Sequence, residues 1–330
     1  MSNQEGIMNS KKKNSVTWGS VASAALLLLA AISLAGCSGS KPAPTTDAST
    51  QSTFATPADA GQALQAAAKA KDETALAKIL GPSAKPILSS GDPAEDNATL
   101  ESFVAKYDQM NRWVPMTDGT QILNIGADNF PFPIPLARDA SSKWYFNTKA
   151  GADEILKRQI GRNELLAIDA CSAIGNAEEL YFKTSHDGAP AHQYTTVIIS
   201  SPGKQDGLYW EAPAGKPSSP LGNLNEFAKT ALSTSTPAGP LVIDGYSFRV
   251  LTAQGDKAKG GAKNYVIGGK LTSGFAVIAS PVKYRDSGVA TFIMSREGVV
   301  FEKDLGPSTT DAAAAIKEYN PTEGWEPAEQ

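Results

Sequence analysis

The chain has 330 residues, 41% of them hydrophobic and 19% charged, enough apolar material for one large domain or two of ordinary size. Basic residues number 30 against 34 acidic ones, a net charge of −4, which excludes the basic excess that nucleic-acid binding needs. Two histidines and two cysteines leave little material for a metal centre or a thiol nucleophile.

The first fifty residues address a compartment. Lys11, Lys12 and Lys13 precede an apolar run from Val21 to Leu34. As a helix that run reaches roughly 21 Å, short of a hydrocarbon core of roughly 30 Å. A basic start, a short apolar stretch and small residues after it describe a signal peptide over residues 1–36. Its ending, Leu34-Ala35-Gly36-Cys37, resembles the bacterial lipobox. The resemblance implies cleavage before Cys37 and acylation of Cys37, so that lipid is the membrane contact. It also implies a cell-envelope location, at the periplasmic face of the outer membrane in a Gram-negative host because Ser38 follows the cysteine. The mature chain then carries 27 basic and 33 acidic residues, a net charge of −6 that gives its protein part no overall attraction to anionic lipid. Residues 37–53, rich in Ser, Thr and Pro, read as a flexible tether.

Folded sequence is expected from Phe54. Thr56-Pro57-Ala58-Asp59 is a helix start, with Thr as cap, Pro in the first turn and an acid three residues on. A second short helix carries Leu76, Ile79 and Leu80 and stops at Gly81-Pro82; a third follows Ser90-Gly91-Asp92-Pro93. Strands are expected at Gln121–Ile125 and Lys143–Phe146, with Phe130–Pro135 held extended by its prolines. Helix is predicted from Ala150 to Ile160, an interruption at Gly161, and a longer helix from Asn163. The face of that longer helix is read as Leu166, Ala170, Ala173, Ile174, Ala177 and Tyr181. Residues 184–240 are loop-rich. The last hundred residues turn to strands at Tyr246–Val250, Phe275–Ala279, Val289–Met294 and Val299–Phe301, an antiparallel meander, and a helix is expected at Asp311–Tyr319. Helices first and strands after, without alternation, predict an α+β fold with modules at 54–163 and 164–330.

Several blocks carry a resemblance. Phe54-Ala55-Thr56-Pro57, Ser89-Ser90-Gly91-Asp92-Pro93, Phe132-Pro133-Ile134-Pro135-Leu136, Ile160-Gly161-Arg162-Asn163-Glu164, Asp206-Gly207-Leu208-Tyr209-Trp210 and Lys303-Asp304-Leu305-Gly306 are similar to successive blocks of the bacterial domain-of-unknown-function family 2950. The resemblance covers about residues 54–327 and supplies no catalytic residues. Two fold-level likenesses accompany it. Residues 54–160 resemble a cystatin/NTF2-like module. Residues 164–305 resemble the globular part of a pilin, with one helix and a strand meander, although the chain starts with a lipobox and its 164–182 helix carries Glu164, Asp169, Glu178 and Glu179.

The search for chemistry yields no catalytic, metal or cofactor signature. Gly269-Lys270 is not a Walker loop, since Asn264 stands where the first Gly belongs and Leu271 follows the lysine. His186 and Asp187 offer an acid-base or metal pair, against the ordinary reading of a solvated loop. Asp92, Glu95 and Asp96 offer paired carboxylates, against acids placed to suit a helix dipole. Arg158, Arg162 and Glu164 offer an anion clamp, or a lock between modules. Trp144, Tyr145, Phe146, Tyr209 and Trp210 offer a groove for glycan or peptide, against core packing. Cys171, the only thiol left after lipidation of Cys37, reads as buried and inert.

The expectation is a lipid-anchored envelope protein that binds or scaffolds an envelope protein or glycan without bond-breaking chemistry. Two alternatives accompany it: a hydrolase or transferase working around His186, Asp187 and Asp206, and a pilus or secretion accessory.

Overall fold

A computed structural model describes residues 51–212, 215, 218–222 and 240–329. The expected signal peptide, Cys37 and nearly all of the expected tether lie outside the described residues. Chain order begins with helices α1 (Pro57–Ala70), α2 (Glu73–Leu80), α3 (Lys85–Leu88) and α4 (Pro93–Gln109). Each of the three longer ones starts where local chemistry says it should. Thr56 and Asp59 exchange a capping box before α1, Asp72 accepts from Ala75 N before α2, and Asp92 accepts from Ala94 N and Glu95 N before α4.

A five-stranded antiparallel sheet follows: β1 (Asn111–Pro115), β2 (Gln121–Ile125), β3 (Phe130–Pro131), β4 (Leu136–Arg138) and β5 (Trp144–Phe146). β1 has no counterpart in the sequence reading. Asn-Arg-Trp-Val-Pro lacks apolar alternation, and its extended form comes from five paired positions on β2. The helices lay Leu64, Leu76 and Leu80 against Ile134, Leu136 and Phe146 to form the first core. Burying each of these side chains is worth about 1.5–3 kcal/mol.

Helix α5 runs unbroken from Thr148 to Phe182, 35 residues. This corrects the expected interruption at Gly161, because a single glycine costs a helix interior only about 1 kcal/mol. The expected module boundary at 163/164 falls inside this continuous helix. The buried face of α5 is also rotated from the expected one. Ala167, Ile168, Cys171, Ile174, Gly175, Ala177, Glu178 and Tyr181 are buried, whereas Leu166 is exposed.

The second sheet has six strands in the order β15 (Glu326–Pro327), β14 (Val300–Asp304), β13 (Ala290–Ser295), β12 (Ala276–Pro281), β7 (Tyr246–Leu251) and β6 (Leu241–Ile243). Two small antiparallel ribbons, β8 (Ala253–Gln254) with β9 (Lys263–Asn264) and β10 (Val266–Ile267) with β11 (Lys270–Leu271), fill the connection from β7 to β12. Pairing sets Phe248 opposite Ala279 and Ala279 opposite Phe292, on the face that carries Met294 against Gly175 of α5. Arg249, on the other face, donates to the carbonyls of Ala313 and Ile316 at the end of α6 (Thr309–Ala315). Covered on both sides, β12 is buried at five of its six positions. The expected terminal helix ends early: Ile316 is already extended, and Tyr319 bridges to Gln254. Among the described residues every strand ladder is antiparallel and no helix connects parallel strands, so the fold is α+β.

Candidate functional site

Most of the expected site residues resolve into structural roles. Trp144, Tyr145 and Phe146 are buried core, not a groove, and the Arg138 guanidinium lies 4.5 Å above the Trp144 ring. Tyr209 and Trp210 are half-buried against the second core. Asp92 caps α4, while Asp96 accepts from Ser90 N at 2.8 Å; those contacts hold its carboxyl below the usual range. Cys171 is fully buried, and burial pushes its thiol up to about 12.

His186, Asp187 and Asp206 do not converge. Asp187 Oδ2 accepts from Gln205 N, and the Asp206 carboxylate accepts from Ser201 N at 2.8 Å and Ser201 Oγ at 2.9 Å, so both acids fix loop backbone. The His186 ring stacks on Tyr181 at 4.0 Å and meets the edge of Trp210 at 5.6 Å. Its Nε2 lies 2.8 Å from Thr184 Oγ1 and 3.1 Å from the carbonyl of Tyr181, and its Nδ1 is buried with no partner among the described residues. A further buried polar group, Glu178 on α5, is invisible as a site residue in the sequence. It is 0% exposed, its Oε2 accepts from Thr195 N at 3.1 Å, and its Oε1 has no partner. Burial pushes this carboxyl well above the ordinary range, with the Glu179 charge adding to the effect. Among the described residues, no three His, Cys, Asp or Glu side chains group at metal-binding distance.

The charged residues of α5 divide. Arg158 pairs with Glu154 at 2.8 Å, donates to Pro131 O at 2.7 Å and lies over the Phe130 ring. Arg162 is exposed and has no ion pair among the described residues. The anion clamp is thus not assembled. Glu164 instead reaches across to the second sheet, where one of its oxygens accepts from Val289 N at 2.9 Å and Ala290 N at 3.0 Å. Asn163 makes a parallel tie by donating to Ser287 O at 2.9 Å.

These ties wall one side of an open cleft of about 310 Å³, whose other walls come from Glu302, Lys303 and Asp304 of β14, Gly324 and Glu326 of β15. Glu302 is partly withdrawn from water, and burial, then the charges of Glu164, Glu329 and Glu326, raise its carboxyl above the usual value. The single basic wall residue, Lys303, donates to Glu323 O at 2.9 Å and stays in the wall beside Gly324, one cation against four acids. A recess with this lining holds a negative potential and suits a cationic group. Glu302 and Glu326 were not legible as site residues, since nothing in a strand's alternation says which strand edge meets a helix 138 positions earlier.

Against known proteins, residues 51–328 match the family described as protein of unknown function (DUF2950). The chain belongs to that family. No curated protein and no solved structure matches this DUF2950 chain. The match spans both sheets and the whole of α5, so the cleft lies within the family's shared body.

Proposed function

We propose that this DUF2950 chain is a lipid-anchored protein of the bacterial cell envelope whose task is binding, with the acid-lined cleft between α5 and β14 as its binding surface. The anchor is supported by Leu34-Ala35-Gly36-Cys37 directly behind the apolar run. Several acyl chains at Cys37 hold a body durably where one would not. The single observation that carries the binding role is the cleft itself, lined by four acids, Glu164, Glu302, Asp304 and Glu326, against one lysine. Its ligand is a basic segment of an envelope partner, because like charges this close relax when a cation is received.

Each half of the proposal has its own test. Cys37→Ala should abolish labelling by a fatty-acid probe and release the protein from membranes; undiminished labelling sinks the anchor. For the cleft, a fluorescent oligolysine peptide is titrated onto the mature chain. Glu302→Gln together with Glu326→Gln should weaken binding roughly tenfold at low salt and leave the fold unchanged. Equal affinity in the variant removes the cleft from consideration. Glu164 is left intact in that variant because it also ties α5 to the sheet.

A further inference from the structure

We propose that the surface around residues 51–54, where the chain comes off its anchor, docks on anionic membrane headgroups through Lys78, Lys85, Arg138, Lys143 and Lys149. The inference rests on the reading of Cys37 as the lipid-bearing residue and adds an orientation to it.

Residues 51–54 are stitched into one place on the body. Gln51 Nε2 donates to Ile79 O and Phe146 O, Ser52 N donates to Lys78 O, and Phe54 and Trp144 exchange both backbone hydrogen bonds. These contacts bring backbone segments that carry cationic residues far apart in sequence to the same part of the body. Lys78 accepts the Ser52 bond, and Lys143 adjoins Trp144. Arg138 is the register partner of Trp144, with its guanidinium held over the indole. Lys149 follows Thr148, whose hydroxyl donates to Leu80 O at 2.5 Å; Lys85 lies one turn beyond Gly81, which abuts the Gln51 side chain. All five are exposed, and none has an ion-pair partner among the described residues. Two acids of this region accept from backbone donors: Asp59 from Thr56 N, and Asp139 from Ser141 N and Lys143 N.

Geometry gives these charges first access to the membrane. Only thirteen residues, 38–50, lie between Cys37 and Gln51. The fourteen chain steps from Cys37 to Gln51 cannot span more than about 50 Å. The cations nearest the lipid are therefore those at the root, where an anionic surface attracts each of them within a Debye length. The mature chain as a whole is −6, so the rest of the body is repelled by the same surface that attracts the root. Net charge alone had suggested that the protein part ignores anionic lipid; the fold concentrates the exception at one spot.

The test couples the mature chain to vesicles through Cys37 with a maleimide lipid, which fixes the attachment point whether or not a cell acylates it. Cys171 is buried and does not compete. Amine-reactive footprinting then compares Lys78, Lys85, Lys143 and Lys149 with the distant Lys257 and Lys317. On phosphatidylcholine–phosphatidylglycerol vesicles the root lysines should label roughly fivefold more slowly than on pure phosphatidylcholine, with the difference erased by high salt. The reference lysines should not change. Lys78→Gln with Lys143→Gln should return Lys85 and Lys149 to their rates on neutral vesicles. Equal labelling on the two vesicle types, or protection spread evenly over root and reference lysines, overturns the proposal. Because the attachment is chemical, that failure is separate from a failure of the Cys37→Ala test, which concerns acylation alone.

Discussion

Glu178 has no exposed surface, one accepted hydrogen bond and one buried oxygen without a partner. In the folded chain it keeps its proton over a pH range in which the unfolded chain has lost it. The folded state then binds more protons, so this group lowers stability as pH rises above the ordinary glutamate value of 4.5 and continues to do so up to its raised folded value. Glu178→Gln keeps the shape and an acceptor for Thr195 N while removing the titration. The variant should exceed the wild type in stability by about 1–2 kcal/mol near pH 8 and by less near pH 5, read from guanidinium midpoints at the two values. Parallel pH profiles for the two proteins would mean that Glu178 is ionised in the fold. Glu178 shows how far single residues were legible. An acid on an amphipathic helix reads as solvated, and only the close approach of Thr195 from the 184–210 loop withdraws it from water. Cys171 was legible, because its neighbours Ile168 and Ile174 declare an apolar face one turn either side.

At the scale of elements, α5 carries three glycines that look alike in sequence and stand in three different surroundings. A Cβ at Gly151 would lie 2.6 Å from Ile134 Cγ1 and 3.0 Å from its Cα, which is backbone and cannot yield. At Gly175 it would lie 2.7 Å from Met294 Cε, the end of a flexible side chain. Gly161 has nothing within 4 Å. Gly161→Ala should therefore stabilise by about 0.5–1 kcal/mol. Gly151→Ala should destabilise by about 1–3 kcal/mol through overpacking, with Gly175→Ala between the two. Thermal or denaturant unfolding of the three variants ranks them directly, and a destabilising Gly161→Ala would contradict the helix as described. The start of α1 was readable because its cap is local, Thr56 satisfying a backbone donor three residues on; Asp72 and Asp92 do the same before α2 and α4. Continuity through Gly161 was not readable, because what holds the helix there is tertiary, with Gly151 on Ile134 at one end and Gly175 on Met294 at the other. The early end of α6 is likewise tertiary, since Arg249 of β7 takes its last carbonyls.

Among the described residues there are two large apolar cores and a small cluster of Tyr107, Leu123 and Ile125, and α5 contributes to the packing around both large ones. Its first turns meet the first sheet's layer through Thr148, Gly151 and Arg158, and from Ala167 onward it belongs to the second core. The candidate cleft opens where this shared helix passes the edge strands, which is why its walls come from positions 164 to 326 and no motif announced it. What passes through α5 also sets cooperativity. Gly161→Pro removes an interior helix hydrogen bond and sets the proline ring against the carbonyl of Lys157, a cost of about 3 kcal/mol or more. Trp113 and Trp144 report on the first core, and Trp210 and Trp325 on the second. In the parent chain, tryptophan variants that retain only one pair should unfold at the same denaturant concentration, because an intact α5 transmits the loss of either core to the other. In Gly161→Pro the two pairs should separate into distinct transitions, with each core still folded on its own side of the break. A single shared transition in that variant would show that the cores are coupled by contacts outside α5.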